Sequence, residues 1–102
     1  MYVFGDCKLD TQRRVLWRAG RIVSLRRKVF QALTYLLEHH DQAVSKEAVC
    51  AAVWPQQFIS DTALESTIKA ARQAIGDSGR AQRLIRTIHG YGYGSALHVM
   101  LG

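Results

Sequence analysis

The amino-acid sequence predicts an α+β domain: a small antiparallel sheet of about four strands, then three helices, then a two-stranded hairpin. Three observations carry this. Residues 1–25 are brief runs rich in β-branched and aromatic residues, broken by turn formers. Between about 26 and 75, apolar residues recur at three and four positions, the period of helices packed on one side. From residue 83 an alternating run meets the glycine-rich tip HGYGYG and returns as SALHVML, the pattern of a hairpin.

The strands come first. YVF, CKLD, RVLWR and RIVSL are separated by Gly5, Asp10-Thr11 and Ala19-Gly20, and the last of these turns divides two apolar arms as a hairpin would. Their expected task is structural, a platform on which the helices pack. A first helix over about 26–40 is predicted by Val29, Phe30, Leu33, Leu36 and Leu37. Arg26, Arg27 and Lys28 crowd its first turn, where the helix dipole disfavours cations. A docked phosphate would reverse that sign; three solvated charges is the other reading, and both stand. His39 and His40 suit the negative end of this helix.

Ala43-Val44 reads as a short extended link. Ser45 then caps a second helix over about 45–54, with Glu47 in its first turn and Ala48, Val49, Ala52 and Val53 behind. Trp54-Pro55 ends it, because the residue before proline is pushed out of the helical region. After the loop QQFIS, Ser60 and Asp61 open a third helix over about 61–75, and Gly76 stands where a C-cap belongs. At about 100° per residue, Leu64, Ile68, Ala71 and Ile75 fall within an arc of roughly 60°. Opposite them lie Thr62, Ser66, Lys69, Ala70 and Gln73, short and polar with one positive charge. A merely solvated face is richer in Glu–Lys pairs; this one reads as the DNA-contacting helix of a helix-turn-helix, with an ordinary amphipathic surface helix as the other reading of this stretch taken alone. A hairpin directly after such a helix is a wing. Tyr93 reads as strand packing there, while Tyr91 is open between stacking and packing.

Composition sets bounds on function. The 102 residues form one domain, and 48% hydrophobic content is that of a globular chain. Fourteen Lys and Arg against eight Asp and Glu give +6, a balance suited to a polyanionic partner. Cys7 and Cys50 match no metal spacing and are expected as small core residues in a reducing cytoplasm. No metal and no cofactor is expected. His39, His40, His89, His98, Cys7 and Cys50 assemble no nucleophile–base set, which argues against an enzyme. The opening YVFGDCK does not read as a signal peptide, and no apolar window approaches the ~18 residues of a membrane span.

Three stretches, VSKEAVCAAVWP, ISDTALESTIKAARQAIGDSG and RLIRTIHGYGY, occur in the order and spacing of a known family. Over nearly its whole length the chain resembles the OmpR/PhoB-type winged-helix DNA-binding domain, the effector part of many bacterial response regulators. The middle stretch is most similar to CadC-like and cyclase-fused regulators, which lack a phospho-receiver. The resemblance implies sequence-specific binding of double-stranded DNA in the cytoplasm, with the third helix in the major groove.

The resemblance also assigns residues. Base reading falls to Thr62, Ala63, Ser66, Thr67, Lys69, Ala70 and Gln73. Phosphate holding falls to Lys46, Trp54 and Arg72, with Arg83, Arg86 and Thr87 on the wing; Arg26 and Arg27 join them if the first helix docks a phosphate. The wing tip is placed at Gly90, Tyr91 and Gly92. The loop at 55–60 resembles one that touches RNA polymerase. A free monomer pairing in tandem on DNA is expected, with no membrane contact by this domain. Departures are visible too: the family's basic wing tip, its following Arg and its closing aromatic are replaced by Tyr91, Gly94 and Ser95, and a usual Leu by Ala71. The weakened wing, with the single Lys on the reading face, motivates the alternative of a winged-helix protein-interaction module with reduced or lost DNA binding.

Overall fold

The computed structural model describes residues 1–95 and 100–101. Four short strands, β1 (Tyr2–Phe4), β2 (Cys7–Asp10), β3 (Val15–Arg18) and β4 (Arg21–Val23), form an antiparallel meander. Then come α1 (Arg27–Glu38), β5 (Val44–Ser45), α2 (Lys46–Val53) and α3 (Asp61–Ala74). The chain continues through β6 (Ile85–Ile88), β7 (Gly92–Ser95) and β8 (Met100–Leu101).

Side-chain alternation explains how the first sheet sits. Tyr2, Leu9, Leu16 and Val23 stand opposite one another across β1–β4, and Leu9 and Leu16 are fully buried. The neighbouring row, Val3, Lys8, Trp17 and Ile22, faces the other way, and Ile22 remains exposed. The inward row joins the apolar stripes of the three helices in one core, to which α1 contributes Val29, Leu33 and Leu37 among others. Cys7 belongs to it, and burial pushes its thiol up to about 12, with Asp6 acting in the same direction. It is a protonated packing group, whereas Cys50 is half-buried.

Two strands were not foreseen. β8 pairs antiparallel with β1, Val3 opposite Met100, and extends the sheet to the order β4-β3-β2-β1-β8. The expected return strand SALHVML is therefore not one wing strand. β7 ends at Ser95, residues 96–99 lie outside the described residues, and Met100 and Leu101 cover the free edge of β1 in the other sheet. The second surprise is the expected link at Ala43-Val44. Val44 and Ser45 form β5, which pairs with Tyr93 and Gly92 and makes a three-stranded wing sheet in the order β5-β7-β6.

That sheet makes Gly92 a packing requirement. A Cβ there would overlap Val44 O and lie 2.8 Å from Lys46 N. Gly90 differs: it has φ +73° and nothing within 4 Å of an added Cβ. Gly90→Ala carries only the cost of a left-handed backbone, about 1 kcal/mol. Gly92→Ala must separate β5 from β7 and is expected to cost more than about 3 kcal/mol. Urea denaturation of the two variants checks this, and equal losses would contradict the pairing.

Candidate nucleic-acid interface

The third helix is held at both ends and along one side. Ser60 Oγ accepts from Ala63 N at 3.2 Å, and Asp61 in the first turn suits the positive end of the dipole. Leu64, Ile68, Ala71 and Ile75 are all buried. The helix closes as the glycine signal predicts. Gly76, at φ +80°, donates to Gln73 O at 3.3 Å, and Asp77 N donates to Arg72 O at 2.8 Å. From β3, Arg18 Nη1 donates to Gln73 O at 3.0 Å and Ala74 O at 3.4 Å, placing a cation on the negative end. No local signal marks Arg18 for this task, because it lies 55 residues away in the chain.

Held this way, α3 turns its other side outward. Thr62, Ala63, Ser66, Lys69 and Gln73 are exposed, and Ala70 is half-buried. Thr67 is half-buried as well, and its hydroxyl donates to Ala63 O at 3.0 Å, so that donor is already used within the helix. Between α3 and the wing runs a crevice of about 420 Å³, lined among others by Lys46, Glu65, Lys69, Arg72, His89 and Tyr91. Glu65, exposed on α3, puts a carboxylate there.

The three basic residues opening α1 go separate ways. Arg26 shares a shallow depression with Ala70 and Gln73, beside the outward face of α3. Arg27 lines a different one with Arg14 and Phe30. Lys28 is bonded through Nζ to Val53 O at 2.8 Å and so caps the C-terminus of α2. At the start of α2, Lys46 Nζ lies 3.8 Å from the Asp61 carboxylate, with the Lys46 side chain half-buried and that of Asp61 largely solvated. Trp54 is buried in the core at the end of α2, so packing, not phosphate holding, is what its position supports.

Arg72 is engaged within the fold. It is 7% exposed, its Nε donates to Ile85 O at 3.0 Å, and its Nη2 donates to Thr87 Oγ1 at 2.8 Å. Its position beside the apolar stripe lets it reach the wing, while it still lines the crevice between α3 and the wing. Arg83 and Arg86 are exposed, and Thr87 is half-buried beneath Arg72. The wing turn is residues 89–91, closed by Tyr91 N donating to Ile88 O at 3.0 Å. Gly92 lies inside β7 and not at the tip, because Ser45 pairs with it. Tyr91 is exposed and its carbonyl accepts from Lys46 N at 3.0 Å. Tyr93 is buried, and that burial pushes its phenol pKa up, with Glu65 adding to the effect.

Asp77 was missed altogether, because DSG reads as a polar loop. It is 7% exposed, and its carboxylate accepts from the backbone N–H groups of Arg83, Leu84 and Ile85 at 2.8, 2.9 and 3.0 Å. Burial alone would raise its pKa. The backbone donors outweigh that and hold it below the usual carboxylate value. Among the described residues no group of three or more His, Cys, Asp or Glu converges on a metal site, and no helix is long and apolar enough to cross a membrane.

Residues 20–94 match the family model described as "Transcriptional regulatory protein, C terminal". The chain belongs to this family. Its members are transcriptional regulators, so this is a regulatory domain and not an enzyme. The chain is 32% identical over 90 residues to the Escherichia coli transcriptional regulatory protein CusR, and 33% over 90 residues to the transcriptional activator protein IrlR of Burkholderia pseudomallei. Each match takes in 87% of this chain and 39% of the relative, so the chain spans about two fifths of those proteins. Among solved structures, the response regulator DrrB of Thermotoga maritima, an OmpR/PhoB homolog, superposes at TM-score 0.82 with 31% identity. That fit covers 91% of this chain and 42% of DrrB. The DNA-binding domain of Escherichia coli CadC fits over 99% of this chain and 95% of its own, at TM-score 0.84. With 18% identity, that likeness shows the fold alone. The OmpR/PhoB-type winged helix expected from the residues is the architecture found.

The Asp77 carboxylate ties stability to acidity with a definite sign. Its folded pKa is depressed, so its contribution is fully present above the unfolded value of about 3.9 and is lost as pH falls through the folded value. Asp77→Asn should cost about 1–3 kcal/mol at pH 7, and the gap from the native chain should shrink below about pH 4. Urea midpoints at the two acidities check it; a gap independent of pH would refute the assignment.

Proposed function

We propose that this domain binds double-stranded DNA sequence-specifically, as the effector domain of a bacterial transcription regulator acting in the cytoplasm. The observation that carries the reading is the outward face of α3. A helix anchored by its apolar stripe presents Thr62, Ser66, Lys69 and Gln73 without a bulky neighbour, between basic flanks. Arg26 stands on one flank, Lys46 and the wing on the other. Short polar side chains let a helix enter the major groove, while the flanking cations hold phosphate and fix the register. The net charge of +6 suits the same partner. The Klebsiella pneumoniae RstA DNA-binding domain, whose structure is of a complex with the RstA box, superposes over 92% of this chain at TM-score 0.82; at 23% identity the likeness is one of fold.

Within this reading Lys69 meets a guanine edge and Gln73 an adenine edge, by side-chain chemistry. Thr62, Ala63, Ser66 and Ala70 supply close apolar and hydroxyl contact, and Thr67 supports the helix from its own edge. Arg26, Lys46, Arg83, Arg86 and Thr87 hold phosphates. Arg27, which lines a separate depression with Arg14, takes an outlying phosphate. Gly90 and Tyr91 form the part of the wing that approaches the sugar edge. The loop at 55–60, with Phe58 fully exposed, offers a contact to RNA polymerase. The free chain is a monomer, and two copies pair on DNA about one helical turn apart.

Fluorescence-anisotropy titration separates reading from holding. Gln73→Ala should cost roughly 1–3 kcal/mol on a selected duplex and little on random sequence. Arg86→Ala should weaken both alike and reduce the log–log salt slope by about 0.9. Loss of cognate and random affinity in equal measure for Gln73→Ala would move base reading to another face. A native chain without salt-sensitive duplex binding would leave the protein-interaction alternative.

A further inference from the structure

We propose that Arg72 and Asp77 are positioning residues: together they fix the wing against α3, so that both elements meet DNA as one surface, and Arg72 acts through the wing and not on phosphate. The inference rests on the DNA-binding reading above. Its ground is the geometry of the joint. Arg72 leaves α3 one residue after the buried Ala71, and two of its three nitrogens are committed to β6, at Ile85 O and Thr87 Oγ1. From the loop between α3 and β6, Asp77 gathers the three successive N–H groups of residues 83–85. The two grips are joined, because Asp77 N also donates to Arg72 O. A side-chain bond from Gln82 Oε1, which accepts from Thr87 N at 2.8 Å, stiffens the same strand.

A residue meant simply to meet a phosphate gains nothing from burial. Arg72 is 93% covered, since its exposure is 7%, and it forms no ion pair among the described residues. Covering an unpaired guanidinium is expensive. The arrangement makes sense where orientation is the gain, because the planar guanidinium bonds two points on one strand and thereby fixes an angle. Lysine has the charge but a single rotating head, so it cannot fix that angle. The Asp77 carboxylate does the complementary task at the root of the wing, receiving backbone donors that would otherwise be buried and unmet.

The test compares native, Arg72→Lys, Arg86→Ala and the double variant, each confirmed folded by its thermal transition. Arg72→Lys should weaken duplex binding about tenfold although the charge is kept. Arg86→Ala should cost several-fold in the native background and under about twofold in the Arg72→Lys background, because a misplaced wing has little contact left to lose. Native affinity in Arg72→Lys, or costs that simply add, would overturn the proposal. A second arm needs no DNA. Spin labels at Ser66→Cys and His89→Cys, in a Cys50→Ala background, report the spacing of helix and wing. One narrow distribution that broadens in Arg72→Lys supports the proposal, and an unchanged one sinks it. Should Arg72→Lys fail to fold, Thr87→Val removes the Nη2 acceptor and takes its place in the label arm alone, where a broadened distribution supports the proposal and an unchanged one sinks it. Because the label arm is independent of binding, a chain that ignored duplex would count against the DNA reading alone.

Discussion

Arg72 joins the third helix to the wing, and most of what is functional in this fold depends on that joint. Hydrogen bonds from a charged donor are worth about 1.5–3 kcal/mol when made, and the desolvation of the guanidinium opposes them. The net stability gained is therefore small. Direction is what remains: Nε and Nη2 point at Ile85 O and Thr87 Oγ1 across one strand, and the carbonyl of the same residue takes the N–H of Asp77. Helix end, loop and strand are thereby bound at a single residue. Cations do similar structural work at the other helix ends. Lys28 caps α2 and Arg18 caps α3, so two of the cations that give the chain its basic charge are engaged inside the fold.

The surface then sorts into distinct regions. The outward face of α3, Arg26 beside it, and Lys46, Arg83 and Arg86 around the wing make a basic side with short side chains at its centre. The outer row of the first sheet, with Val3, Lys8, Trp17 and Ile22, carries mixed and largely apolar character and offers a polyanion little. Glu65 places one carboxylate in the crevice between α3 and wing. Its charge opposes phosphate, so close approach to the crevice has to be matched by Lys46 and Lys69 nearby.

What could be read from the sequence was what local pattern encodes. The apolar stripe of α3, Ser45 and Ser60 as caps, Gly76 as helix stop and the first four strands come from periodicity and backbone preference. What could not be read was set by partners distant in the chain. A two-residue strand such as β5 has no periodicity, and Gly92 looks like a loop glycine until Val44 is brought against it. β8 is equally short and gains its partner only from the first residues of the chain. Arg72 and Trp54 were assigned to phosphate by resemblance alone and Asp77 lay in a polar stretch read as a loop, yet all three are buried. On the outward face itself, Thr62, Ser66, Lys69 and Gln73 are left in solvent as the helical period requires, while Ala70 is half-buried and packs against the core. At the edges of that face, Thr67 turns back to its own helix and Glu65 joins the crevice, neither of which the period alone specifies.

The central claim is that DNA meets this domain across α3 and the wing. Backbone amide shifts, followed by NMR as a short duplex is added to the labelled chain, test it most directly. The account predicts that the largest changes fall on Thr62, Ser66, Lys69 and Gln73, with a second group at Arg86 and residues 89–91, all reversed by added salt. Changes centred on Val3, Trp17 and Ile22, with α3 silent, would contradict it.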